Sequence, residues 1–265
     1  MLIIGESLNA TRPQVRAAVQ SRDAAFIQAL AKEQALAGAH MLDVNAAVPG
    51  QDEVEDLPWM VQVVQEAVDL PLSLDSSNVE ALLAAMKVHR GRPLINSLSA
   101  EKDKLEKLLP VVVENDCSVI VLCMDDGGIP ADVEGRLRAA RAAVLPLLEA
   151  GKKPEDIFLD PLVMSISVDP GAARTTLEVI RRVRESEMAG VRITGGLSNV
   201  SFGMPGRKLL NRVFLTMAMT VGLDSCIVDV RDRALMSTLY AARTFLAEGG
   251  SREYLKAFRE GWLVI

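Results

Sequence analysis

The chain has 265 residues, 49% hydrophobic and 24% charged, enough to bury a large core and of the usual size of one α/β barrel. Its net charge of −6 is spread over interspersed acids and bases, without the basic stripe of a phosphate-backbone binder, so no nucleic-acid partner is expected. No run reaches the roughly 18 apolar residues that span a bilayer, and the start MLIIGESLNA lacks a basic region followed by a long apolar segment, so the expectation is a cytoplasmic protein without a membrane partner.

In chain order, short apolar runs alternate with longer helical patterns. LIIG (2–5) is followed by a stripe of Phe26, Ile27 and Leu30, with Gly38 placed for a left-handed C-cap. MLDVN (41–45) precedes Leu57, Met60, Val61, Val64 and Val68; LSLD (72–75) precedes Asn78, an N-cap for a helix carrying Leu82, Leu83 and Met86. PLIN (93–96) leads into Leu105, Leu108, Leu109 and Val112, and SVIVLCM (118–124) into a segment ending at Gly151. IFLD (157–160) precedes Leu177, Ile180 and Val183; VRIT (191–194) precedes Leu210, Val213, Phe214, Met217 and Val221, read as barrel packing; CIVD (226–229) is the last run. A short extra helix is expected over about 252–260.

This rhythm predicts an α/β fold, a (β/α)8 TIM barrel forming a single domain over 1–265. An open doubly wound sheet is the second choice, and its GxGxxG is absent after the first strand. Cys117, Cys123 and Cys226 lie in apolar runs without CxxC spacing, as free thiols of a reducing compartment do. His40 and His89 belong to no Cys/His cluster, so no bound metal is expected.

Catalytic faces of such barrels lie at the C-terminal strand ends. There the chain places Asn9, Asp43, Asn45, Asp75, Asn96, Asp160, Asn199 and Asp229. Asp and Asn at these places also cap helices and close turns. As a ring they offer donors and acceptors without a strong nucleophile or a soft-metal ligand set, which suits a flat heterocycle with alternating donors and acceptors, such as a pterin.

GESLNATR, DVNA, PLSLDSSN, RPLINSLS, DIFLDPL and GGLSNVSFGMPGRKLLNR, in this order, closely resemble the methyltetrahydrofolate:corrinoid-protein methyltransferases of the pterin-binding barrel superfamily. The likeness runs from Met1 to the final helix. It implies that Asp75, Asn96 and Asp160 hold the pterin edge and that Asn199, the catalytic residue, reaches the methyl-bearing N5. Gly195 and Gly196 then permit positive φ and close backbone approach, Gly196 and Ser198 line the pterin, and Ser198 hydrogen-bonds either the pterin or its own loop. Arg207 and Lys208 attract the glutamate tail of folate or the acidic rim of a carrier, with Asn9 and Asp43 as further candidates for tail or partner contact. The implied reaction is an in-line methyl transfer between tetrahydrofolate (as 5-methyltetrahydrofolate when charged) and the cobalt of a corrinoid (cobalamin) on a separate carrier protein, by a homodimeric enzyme. The direction is not legible: relatives either methylate a corrinoid iron–sulfur protein or take methyl from one charged by an O-demethylase, methylamine or betaine system.

TGGLSN and DSSN depart from family forms with a Cys or other small residue before GLSN and with DSPN, and neither change removes an implied pterin contact. Dihydropteroate synthase shares the Asp/Asn/Asp clamp, but NATRPQVRAA and DVRDRAL stand where its NxTPDSFSDGG loop and Arg-x-His would be. A non-catalytic pterin-binding barrel is the other alternative.

Overall fold

The computed structural model describes residues 1–264. The apolar runs become strands and the periodic segments become helices: β1 (Leu2–Asn9), α1 (Pro13–Ser21), α2 (Ala24–Leu36), β2 (Met41–Asn45), α3 (Glu53–Ala67), β3 (Leu72–Asp75), α4 (Val79–Val88), β4 (Leu94–Ala100), α5 (Lys102–Glu114) and β5 (Ser118–Asp125). The second half continues with α6 (Val133–Glu149), β6 (Ile157–Asp160), α7 (Ala172–Arg184), β7 (Arg192–Ile193), α8 (Arg207–Thr220), β8 (Ser225–Val228), α9 (Arg233–Leu246) and α10 (Gly250–Arg259).

Local chemistry sets the boundaries. The single helix expected after β1 is two: Pro13 opens α1, Arg22 ends it in the left-handed region at φ 54, and the Asp23 carboxylate accepts the Phe26 N–H to start α2. Asn78 caps α4 as expected, accepting from the N–H groups of Glu80 and Ala81, and Gly38 and Gly151 both have positive φ. On α8 two of the five expected stripe residues fail: Val213 and Met217 are about half exposed, whereas Phe214 is buried and Val221 packs against the core, with Leu215, Ala218 and Met219 completing the buried face.

The eight strands form one sheet in the order β7-β6-β5-β4-β3-β2-β1-β8, every pair parallel. Sequential parallel order exchanging no neighbours is a barrel, not a doubly wound sheet. The gap between β7 and β8 is bridged at Gly196 and Ile227, where the Ile227 N–H donates to the Gly195 carbonyl at 3.0 Å. The segment that closes the barrel is therefore the start of the Asn199 loop.

Inside, strand side chains alternate, and those pointing inward stack in layers. The lower layer is apolar: Ile4, Met41, Leu94, Ile120 and Phe158, with Leu2, Leu122 and Ile227 against them. Two residues further along each strand the same inward register gives Glu6 after Ile4, Asp43 after Met41, Asn96 after Leu94 and Asp160 after Phe158. An apolar floor under a polar mouth follows from this phase alone. Among the described residues no helix is long and apolar enough to cross a membrane.

Candidate functional site

A cavity of about 720 Å³ opens at the C-terminal strand ends, lined by Glu6, Asn9, Asp43, Asp75, Asn96, Asp160, Gly196, Ser198, Asn199 and Arg207 among others. Of the expected site residues, Asn9, Asp43, Asp75, Asn96, Asp160, Gly196, Ser198, Asn199, Arg207 and Lys208 are brought to this one place. They differ in depth and in what already holds them.

The floor is a pre-set pattern of hydrogen-bonding groups. Asp75 and Asn96 are register partners on β3 and β4. The Asn96 amide donates to the Asp43 carboxylate at 3.1 Å, which leaves its carbonyl oxygen as an acceptor toward the cavity. Asn45 donates to one Asp75 oxygen at 3.1 Å, and the Leu162 N–H donates to one Asp160 oxygen at 2.7 Å. Each clamp carboxylate thus has one oxygen tied to protein, which orients the group for a ligand. Asp43 is not at the rim with the tail or partner contacts. It is 3% exposed, accepts the Ser73 hydroxyl at 2.6 Å, and acts beneath the clamp by fixing Asn96.

Burial dominates the electrostatics. It raises Asp160 to about 6, against the opposing Leu162 N–H and Arg136 charge. It raises Asp43 well above the ordinary carboxylate range, with the Asp75 charge adding to the effect, and raises Asp75 as well, with the Asn45 hydrogen bond opposing. A carboxylate whose pKa is higher folded than unfolded gives stability that is complete below its unfolded pKa and is lost as pH rises through the folded one. At neutral pH these acids therefore cost the ligand-free protein stability. Asp43→Asn, which keeps an acceptor for Ser73 and removes the charge beside Asp75, is expected to raise Tm at about pH 8 by roughly 2–4 °C per kcal/mol recovered, with the gain shrinking toward about pH 5. Scanning calorimetry checks this: a variant no more stable than wild type at the higher pH removes like-charge burial as the cause.

The wall is the loop after β7. Leu197–Ser201 winds into a single 3-10 turn, and α8 pins it. Arg207 donates from Nη2 to the Ser198 carbonyl at 2.8 Å and from Nε to the Ser201 hydroxyl at 3.1 Å, and that hydroxyl donates to the Asn211 side-chain Oδ1 at 2.6 Å. Arg207 is thus engaged as a staple of the loop, its guanidinium also lying 5.7 Å over the Phe202 ring. Gly196 has φ −76, and neither it nor Gly195 is among the positive-φ residues, so the expectation that they are glycine for left-handed backbone fails. The reason is space: a Cβ at 196 would stand 3.3 Å from the Asn199 amide nitrogen, and one at 195 would stand 3.4 Å from an Asp160 oxygen. The contact at 196 is the tight one, so Gly196 keeps clear the Asn199 amide, whereas a Cβ at 195 would only touch Asp160.

Glu6 is the site residue the sequence reading missed. Its carboxylate accepts the Ser198 hydroxyl at 3.3 Å and pairs with Arg12 at 3.1 Å, and burial raises its pKa despite Arg12. The signal was present: an acid two residues past Ile4 shares the inward face. Asn9 lies at the mouth, accepting from both the N–H and the hydroxyl of Thr11. Lys208 lines the rim. Among the described residues no His, Cys, Asp and Glu group is arranged to hold a metal ion, and the three cysteines are free and buried.

A closed parallel barrel with a mouth of carboxylates and amides defines a binding barrel for a flat, donor-rich heterocycle. The chain belongs to the pterin binding enzyme family, whose pattern matches residues 5–229. It is 38% identical over 264 residues to the methylcorrinoid:tetrahydrofolate methyltransferase of Eubacterium limosum, covering 98% of this chain and 97% of that protein. It is also 31% identical to the methionine synthase of Mycobacterium leprae over 86% of this chain, a match to only 20% of that longer protein. Among solved structures it resembles the dihydropteroate synthase of Thermus thermophilus, with a TM-score of 0.67 at 22% identity over 92% of each chain. It likewise resembles that of Xanthomonas albilineans in complex with 7,8-dihydropteroate, with a TM-score of 0.64 at 20% identity over 92% and 91% of the chains. These structural likenesses concern the fold alone.

Proposed function

We propose that this protein is a methyltransferase that moves a methyl group between N5 of tetrahydrofolate and the cobalt of a corrinoid borne by a separate carrier protein. The observation that carries the reading is the joining, in one cavity, of the Asp75–Asn96–Asp160 floor to a stapled Asn199 wall, in a chain that matches the Eubacterium limosum enzyme end to end. The dihydropteroate synthase alternative has only the shared fold in its support.

In this reading the Asp160 carboxylate accepts two parallel hydrogen bonds from the 2-amino group and N3–H of the pterin, Asn96 and Asp75 meet the remaining edge, and Asn199 faces N5. Transfer from the folate breaks the N5–CH3 bond in line: an electron pair of cobalt(I) forms the new bond to carbon, and the pair released to nitrogen takes a proton. The reverse reaction forms the N5–CH3 bond, returns the pair to cobalt and releases the proton. An unprotonated N5 would leave as an anion, so the protein's contribution is positioning and stabilisation of the protonated nitrogen. Asn199 has no acidic proton to give at neutral pH; its side-chain oxygen accepts from N5 as the nitrogen acquires its proton, a bond absent from the unprotonated amine. Transfer is reversible in this account, and the deciding assay follows the absorbance of cobalt(I) and methylcobalt(III) corrinoid with tetrahydrofolate or its methyl form. No folate-dependent change in either direction would sink the assignment.

The same reading takes the enzyme as one domain over 1–265, cytoplasmic, and homodimeric. Exposed Phe245, Leu255 and Phe258 on α9 and α10 support association, and sedimentation velocity tests it.

A further inference from the structure

Exposed apolar side chains are gathered on one side of the cavity mouth. Ile129 follows β5, Met164 and Val168 follow β6, and Phe202 follows the Asn199 turn; Val168 and Phe202 are 79% and 65% exposed. Single exposed hydrophobics carry little meaning, but these loops are locked to one another. Arg136, buried beneath them, donates from Nε to the Pro130 carbonyl at 3.0 Å and from Nη1 to the carbonyls of Pro161 and Leu162 at 2.8 and 2.7 Å. Leu162 is thereby held at φ 62, a conformation leucine keeps only where its surroundings impose it. The Ser165 and Ser167 hydroxyls both donate to the Phe202 carbonyl, at 2.5 and 2.8 Å, and the Ile166 N–H donates to the Val200 carbonyl at 3.0 Å. On the β8 and β1 side the mouth carries Arg12, Asp229 and Arg231, joined in ion pairs.

We propose that Ile129, Met164, Val168 and Phe202 form a rigid shelf on which the periphery of the corrin macrocycle rests during methyl transfer. The inference rests on the function proposed above and adds the place of the second substrate. Cobalt sits at the centre of a wide, stiff ring and must meet N5 in line from outside the cavity, so the ring cannot descend to the pterin and its edge must lie on the rim. The corrin edge carries methyl groups between flexible amide arms; the methyls gain by covering apolar surface while the arms reach past it to water, whereas on the other side the ring would strip water from ion pairs. Phe202, three residues past Asn199, places the shelf beside the nitrogen that reacts.

The test uses the intact protein with free methylcobalamin as methyl donor and tetrahydrofolate as acceptor. Ile129→Asp and Val168→Asp, neither of which touches the Asn199 turn, are each expected to raise the KM for methylcobalamin by about tenfold or more with kcat and the Kd for tetrahydrofolate unchanged. Leu36→Asp, at the C-terminal end of α2 and 85% exposed, is expected to leave that KM at its wild-type value. An unaltered KM in both shelf variants overturns the proposal, and if those variants lose a dimer instead, the face is an interface between copies. A wild-type protein that shows no tetrahydrofolate-dependent demethylation of methylcobalamin removes the functional reading itself, and the shelf with it. An unchanged tetrahydrofolate Kd shows that each variant is folded.

Discussion

Replacing Asn199 by alanine is expected to lower methyl-transfer turnover by about 10²–10³ while leaving the Kd for tetrahydrofolate within about threefold of wild type. The asymmetry follows from where Asn199 is held. It belongs to a turn stapled by Arg207 and Asn211, next to a glycine whose missing Cβ leaves its amide room, so it is preorganised before the ligand arrives. Unprotonated N5 has only a lone pair and offers the Asn199 side-chain oxygen nothing to accept, whereas N5–H+ donates to that oxygen in a charge-assisted bond, so the loss of Asn199 falls on the barrier rather than on binding. Single-turnover kinetics and titration calorimetry, run side by side, separate the two. Equal losses in rate and affinity would make Asn199 a binding residue only, and an unaltered rate would remove it from the mechanism. Gly196→Ala, pressing a methyl against the same amide, is expected to fall in the same direction by a smaller factor.

Asp160→Asn is expected to weaken tetrahydrofolate binding by about 10- to 150-fold, the equivalent of roughly 1.5–3 kcal/mol for a charge-assisted hydrogen-bonding pair. The substitution retains an acceptor for the Leu162 N–H, so the loop after β6 keeps its cap and the loss reports on the ligand. It also changes the pH response. Burial holds the Asp160 pKa at about 6, and only the ionised form accepts both pterin donors, so wild-type affinity is expected to fall as pH drops through about 6 and to level off above about 7. The variant's response is expected to be flatter, with the remaining slope owed to Asp75 and Asp43. Calorimetry at several pH values checks this. A variant with wild-type affinity, or a wild type that binds more tightly in acid, would take Asp160 out of the clamp.

Much of the fold and the clamp was legible because both rest on local periodicities. Strand runs ending in Asp or Asn, each followed by a helix, encode a parallel barrel with polar strand ends, and the (β/α)8 expectation needed nothing more. The C-terminal helix was read within two residues of its bounds. The split between α1 and α2 was missed because it hangs on Pro13 and on one left-handed residue, Arg22, rather than on the hydrophobic stripe. The α8 stripe was misread because periodicity shows that a face is apolar without showing whether anything covers it.

What the sequence by itself determined is the phase of each strand, and with it which residues enter the barrel, because alternation is a property of neighbouring residues. Asp75, Asn96 and Asp160 were found as polar residues at strand ends and fall in that phase, and Glu6 was there to be found by the alternation itself. Only the tertiary structure decided how the groups share the work. Asp43 sinks beneath Asn96, Arg207 turns back to staple its loop, Gly196 is small because the Asn199 amide needs the space, and Arg136 ties the loop after β5 to the loop after β6. Each of these depends on atoms that are distant along the chain and adjacent only once the barrel closes. Hydrogen bonding and excluded volume act on distance in space, which no local pattern records.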